Sequence, residues 1–164
     1  MIKFNVLAEH EQSAYVVDID ILNYVFDIKL DTGAVDTVVS LGAIDDDISS
    51  ADFATFKDYC EEHYGNVRKQ FVSASGGSFY GYPISVSGAK IGGVELPTFV
   101  FYLVLENKRD IALLGFDFID RCTFSHKAAG DMVLTEFNDD NYGAVEGAME
   151  DDELISLIDS SAED

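Results

Sequence analysis

Two alternating runs joined by a two-residue break constrain this chain more than any other feature. Residues 14–21 (AYVVDIDI) and 24–30 (YVFDIKL) alternate apolar and polar side chains, with Leu22 and Asn23 between the runs. A period of two fits a pleated strand with one buried face and is out of step with a 3.6-residue helix. The pair therefore predicts two half-buried antiparallel strands. A β-branched run at 35–41, directly after Gly33, predicts a further strand.

The pattern then changes. Asp45-Asp46-Asp47 is a polar break, and Ser49-Ser50-Ala51-Asp52 has the Ser-x-x-Asp spacing of a helix N-terminus. Phe53, Phe56, Cys60 and Tyr64 recur at helical spacing before Gly65, which predicts an amphipathic helix over 50–64. Strand patterns return at 71–75 and 79–86 around the turn Ser75-Gly76-Gly77-Ser78, the signature of a hairpin. Ser87-Gly88 and Gly92-Gly93 punctuate two more short strands, and 99–105 reads as a continuous buried one. A short strand at 111–114 ends at Gly115, a short helix is predicted at 116–121, and last strands at 123–125 and 132–137. The expected fold class is mostly β, a small closed barrel or sandwich with one solid helix.

Charge narrows the partners. The formal net charge is −21, and residues 131–164 hold 12 acidic residues with no Lys or Arg. Such a chain repels phosphate backbones, so no nucleic-acid partner is expected, and anionic membrane surfaces and acidic peptides are disfavoured too. The longest apolar stretch, 99–105, is too short to span a bilayer, so no membrane span is expected. Met1 leads straight into the alternating Ile2-Lys3-Phe4-Asn5-Val6, without a leader pattern. Cys60 and Cys122 form no C-x-x-C pair and are expected as reduced, buried thiols, which points to the cytoplasm. His10, His63 and His126 share no ligand spacing, so neither a metal nor a cofactor is expected.

The segment that carries chemistry is Leu30-Asp31-Thr32-Gly33-Ala34, set between two apolar strands. Alone, Asp-Thr-Gly is compatible with an Asx-turn that closes a strand. About eighty residues later comes Ile111-Ala112-Leu113-Leu114-Gly115, followed by Phe116-Asp117-Phe118-Ile119, with the hairpin of 73–81 in between. In this order and spacing the three segments resemble the active-site framework of the retropepsin-like aspartic peptidases, over roughly residues 14–126. The resemblance implies that family's small closed β-barrel, with an amphipathic helix after the catalytic loop and a short helix after the second Gly motif. The peptidase domain would span 1–137. Asp31 would be the catalytic carboxylate, with Thr32 cross-linking two loops through its hydroxyl and Gly33 and Ala34 completing the active-site loop. Ser73, Ala74, Ser75, Gly76, Gly77, Ser78 and Phe79 would form the flap, and Leu113, Leu114 and Gly115 would pack behind the loop. Val39 and Leu113 are candidates to line subsites.

The chemistry of that family needs two carboxylates sharing one proton, because like charges so close cannot both ionise. This chain has one Asp-Thr-Gly and no Asp-Ser-Gly. The implied enzyme is therefore a two-fold homodimer through the Asp31 loop, hydrolysing peptide or protein substrates in extended conformation. The alternative is a catalytically idle dimerisation or peptide-binding module. Viral members carry Asp two positions after the motif Gly and Arg directly after the second Gly, and these form an ion pair. Val35 and Phe116 stand there instead. Exchanging both partners avoids an unpaired buried charge and predicts that Val35 and Phe116 lie together.

Residues 138–164 are read as an acidic C-terminal tail, mobile around 143–148 and helical at 150–159, with Leu154, Leu157 and Ile158 on one side. It is either a disordered or loosely docked solubilising tail, or an autoinhibitory or partner-binding helix.

Overall fold

The computed structural model describes residues 2–9, 14–31, 33–45, 50–72, 77–106, 111–120, 122–126, 132–137 and 147–162. The alternating runs become β2 (Ala14–Ile21) and β3 (Tyr24–Leu30), paired antiparallel from Ile21 opposite Tyr24 to Val16 opposite Lys29. Leu22 (φ 55) and Asn23 (φ 72) both take the left-handed conformation, the twist that a two-residue hairpin needs. The Asp20 carboxylate holds that turn by accepting the Asn23 N–H at 2.9 Å. Val17, Ile19, Ile21 and Ile28 are buried while Asp18 and Asp27 are exposed, as the period of two requires.

The predicted break at Ser87-Gly88 does not occur. β6 (Ser78–Ile91) is one 14-residue strand, paired with β7 (Val94–Val104) across the turn at Gly92-Gly93. The ladder skips one pair, between Ser87 opposite Thr98 and Ala89 opposite Leu96. At the skip, Gly88 adopts φ +72 and faces Pro97, which has no N–H to offer. The pairing then resumes.

Six strands close on themselves: β6, β7, β4 (Val38–Ser40), β8 (Ala112–Leu114), β3 and β2. The ring is completed where Ile19 and Asp20 of β2 meet Ile91 and Lys90 of β6. This closed, mostly β barrel is the expected fold class. β1 (Ile2–Glu9), β10 (Met132–Phe137) and β9 (Cys122–His126) continue the sheet outward from β2, and β5 (Lys69–Val72) pairs with the start of β6. The core is aliphatic and aromatic, with Ile28, Val39, Phe99, Phe101 and Phe118 among its fully buried members.

The strand expected over 35–41 contracts to β4. Residues 34 and 35 spend their carbonyls on a neighbouring segment, and Leu41 opens α1 (Leu41–Ile44), whose first turn the Ser40 hydroxyl caps by accepting the Ala43 N–H at 3.2 Å. α2 (Ser50–Tyr64) forms where it is predicted, with Phe56 and Cys60 buried. α3 (Phe116–Ile119) is the short helix after Gly115.

The described part of the acidic tail is built into the body of the protein. β11 (Met149–Glu150) runs parallel beside Ile84 and Ser85 of β6, and α4 (Asp151–Ala162) follows it. Met149, Leu154 and Ile158 are buried. The Tyr64 hydroxyl of α2 donates to the Glu153 carboxylate. The Ser87 hydroxyl donates to Asp151 at 2.6 Å, which holds that carboxyl below its ordinary pKa. Three side chains of residues 147–158 are thus packed into the core, and residues 138–146 lie outside the described residues. Among the described residues no helix is long and apolar enough to cross a membrane.

Candidate functional site

The Asp31 loop is held from both sides by the segment around Gly115. β8 runs parallel to β3, with Leu113 opposite Lys29 and Leu114 opposite Leu30. The Asp31 N–H donates to the Leu114 carbonyl at 3.0 Å, and the Ala34 N–H turns back onto the Asp31 carbonyl at 3.2 Å. Beyond Gly115 the chain bonds to the loop again: the Phe116 N–H donates to the Ala34 carbonyl at 2.7 Å and the Asp117 N–H to the Val35 carbonyl at 3.0 Å. The half-buried Asp31 carboxylate accepts the Gly33 N–H at 2.9 Å, which fixes its direction. Thr32 lies outside the described residues.

Gly115 is required by space. A Cβ there would stand 2.3 Å from the Asp36 carbonyl carbon and oxygen and 2.8 Å from the Thr37 nitrogen. Through that close approach the buried Thr37 hydroxyl accepts the Gly115 N–H at 3.1 Å and donates to Asp117 Oδ1 at 2.8 Å. Asp117 Oδ2 takes the Thr37 N–H at 3.1 Å, and Oδ1 also takes the Phe118 N–H at 2.8 Å. Asp117 and Thr37 thus act as a polar bolt behind the loop. Sequence reasoning missed both, since 80 residues separate them and no spacing rule joins them. Their one visible signal is a polar side chain a few residues after a motif Gly, two after Gly115 for Asp117 and four after Gly33 for Thr37.

In front of the loop is a groove of about 670 Å³. Asp31, Gly33, Val38 and Leu113 contribute to one side, and Lys69, Phe71 and Phe79 of the β5–β6 hairpin to the other. Leu113 lines the groove, whereas Val39 is fully buried in the core. Successive strand residues face opposite ways, so its neighbour Val38 takes the groove position. Leu114 and Gly115 are buried behind the loop. Of the expected flap, Ser73, Ala74, Ser75 and Gly76 lie outside the described residues; Gly77 is exposed, and Ser78 and Phe79 open β6.

Lys69 spans the groove. Its Nζ lies 2.5 Å from Asp36 Oδ2, and that hydrogen bond raises the lysine pKa, with burial opposing in part. The Phe71 ring packs 5.9 Å from Phe79 and 5.5 Å from Tyr102. Gly81 makes this possible, since a Cβ there would come within 2.7 Å of the Phe71 ring.

Backbone bonds join residues 34–35, which include Val35, to residues 116–117, which include Phe116. The side chains of Val35 and Phe116 are nevertheless 72% and 48% exposed, not closed into a buried contact. With Val72, also 73% exposed at the groove, they place large apolar groups in water around the Asp31 loop.

No protein-family model matches the sequence, and no curated protein is similar to it in sequence. Among solved structures the chain is similar to a retropepsin-like aspartic protease from Rickettsia conorii. The two share 16% identity over 82% of this chain and 90% of that one, with a TM-score of 0.47. Among the described residues no group of His, Cys, Asp and Glu is placed to hold a metal ion.

Proposed function

We propose that this chain is one subunit of an aspartic endopeptidase, in which two copies bring their Asp31 carboxylates together at a two-fold axis. The observation that carries the reading is a carboxylate held by a bolted loop at the side of an apolar groove, next to exposed Val35 and Phe116. A second copy would cover those apolar groups and complete the dyad.

In such a dyad one Asp31 is ionised and the other protonated, and the two apparent pKa values belong to the pair. The ionised carboxylate takes a proton from water as its oxygen attacks the peptide carbonyl, while the protonated one donates to the carbonyl oxygen. Return of a proton to the amide nitrogen lets the C–N bond break. Gly33 leaves room for the substrate backbone, and an extended peptide in the groove would lie between Val38 and Leu113 on one side and Phe71 and Phe79 on the other. A reducing compartment such as the cytoplasm suits Cys60, a free, buried thiol whose pKa burial pushes up to about 12.

The test is cleavage of an unbiased peptide library by the wild type and Asp31→Asn, across about pH 3 to 7 where such dyads work. Cleavage abolished by Asp31→Asn is the expected result. A wild type that sediments as a dimer and cuts nothing in this range would leave the idle dimerisation module as the better reading.

A further inference from the structure

We infer that Lys69 is a positioning residue of the groove: paired with Asp36, it ties the stem of the β5–β6 hairpin to the loop that carries Asp31 and so sets the separation of the groove walls. The kinetic consequence rests on the peptidase reading; the structural one does not.

Four observations converge on it. Asp36 is a fixed point, because its carbonyl abuts Gly115 with no room for a side chain and Thr37 beside it is bolted to Asp117. Lys69 sits where the hairpin stem joins the barrel, opposite Gly81, the last pair of the β5–β6 ladder. β5 is a strand of four residues that, among the described residues, pairs with β6 alone, and three of the four are exposed. No other described strand covers its outer side. Finally, the ammonium lies 6.0 Å from the Phe71 ring and 5.7 Å from that of Tyr102, so the aromatic group that roots the hairpin also supports the cation.

An exposed ion pair is ordinarily weak. This one differs on the acid's side: the Asp36 side chain is 15% exposed against 47% for Lys69. Asp117 and the Tyr102 hydroxyl are the other groups that act on Lys69, and Asp117 is already engaged by Thr37. Among the described residues the lysine is thus directed to the Asp36 carboxylate, 33 residues away in sequence.

The pair can be broken from either end. Lys69→Met keeps the apolar stem, Asp36→Asn keeps the shape of the acid, and Lys69→Arg retains the charge. Hydrogen exchange at those amides of residues 70–72 that donate to β6, measured without substrate, should quicken about five- to ten-fold in the first two variants and stay near wild type in Lys69→Arg. On any peptide that the wild type cuts, Lys69→Met should raise KM by about ten-fold with kcat held within about two-fold, as expected for a lost positioning contact, and Lys69→Arg should restore it. Unchanged exchange in Lys69→Met, or exchange in Lys69→Arg as fast as in Lys69→Met, overturns the inference. A wild type without peptidase activity, with the exchange changes as described, upholds the tie and sinks the peptidase reading alone.

Discussion

The Asp31 loop and the α2–α4 pair solve opposite problems. Where α4 meets the body of the protein, apolar side chains are closed off: Phe56 and Cys60 of α2 and Leu154 and Ile158 of α4 are all buried, although both helices carry many acids. At the loop the order is reversed. Polar groups do the holding, through Thr37, Asp117 and the backbone bonds on either side of Gly115, while Val35 and Phe116 are left in water. One region is finished by the chain itself. The other is densely hydrogen-bonded within and leaves large apolar groups exposed, as the proposed second copy would require.

That contrast can be broken at several points. Gly115→Ala should have the largest effect, because its Cβ would meet the Asp36 backbone and neither backbone segment has slack. A loss of about 4 kcal/mol or more, read from urea unfolding, is expected, against the smaller cost of ordinary overpacking. Leu154→Ala should come next, at about 3 kcal/mol, by opening a cavity between α4 and the core. Its self-association, compared by sedimentation under folded conditions, should match the wild type.

The double substitution Val35→Asp with Phe116→Asp sharpens the comparison most. Both side chains are exposed, so the unfolding free energy of the single chain should move by no more than about 0.5 kcal/mol. Sedimentation should nevertheless shift from dimer to monomer. A loss of stability like that of Leu154→Ala would show instead that the loop face is part of the core.

The smallest effect concerns pH. The hydrogen bond from Ser87 depresses the Asp151 pKa in the folded chain, so its contribution is complete above the unfolded value, about 3.9, and is lost as pH falls through the folded one. Unfolding midpoints measured down this range should fall less steeply in Asp151→Asn than in the wild type.

Local patterns were legible wherever a single segment decides its own structure. The strands at 14–21 and 24–30 follow from alternation, and α2 from its spacing of Phe53, Phe56 and Cys60. The neighbourhood of the Asp31 loop and the Leu113-Leu114-Gly115 segment was implied by a family resemblance, and the parallel pairing of β3 with β8 brings the two together. What escaped depends on distant partners. Gly88 reads as a break, yet the pairing with β7 skips that one position and resumes at Ala89, so β6 runs on. Val38 and Val39 are indistinguishable as letters, and only the pairing of β4 with β7 and β8 decides which one meets the groove. Asp36 and Lys69 look like two of many solvated charges until the fold sets them 2.5 Å apart. The docking of α4 was hidden by the acids that surround Leu154 and Ile158.

The parallel pairing of β3 with β8 has a consequence for biosynthesis. Asp31 leaves the ribosome before its partners: the carbonyl that receives its N–H belongs to Leu114, and the groups that hold Ala34 and Val35 belong to Phe116 and Asp117. Barrel closure through Ile91 must also wait. During translation, at about 5 to 20 residues per second, the loop therefore spends several seconds as an unformed peptide. The site is among the last parts of the barrel to be assembled, and the loop is without its partners until residues 114–117 have been made.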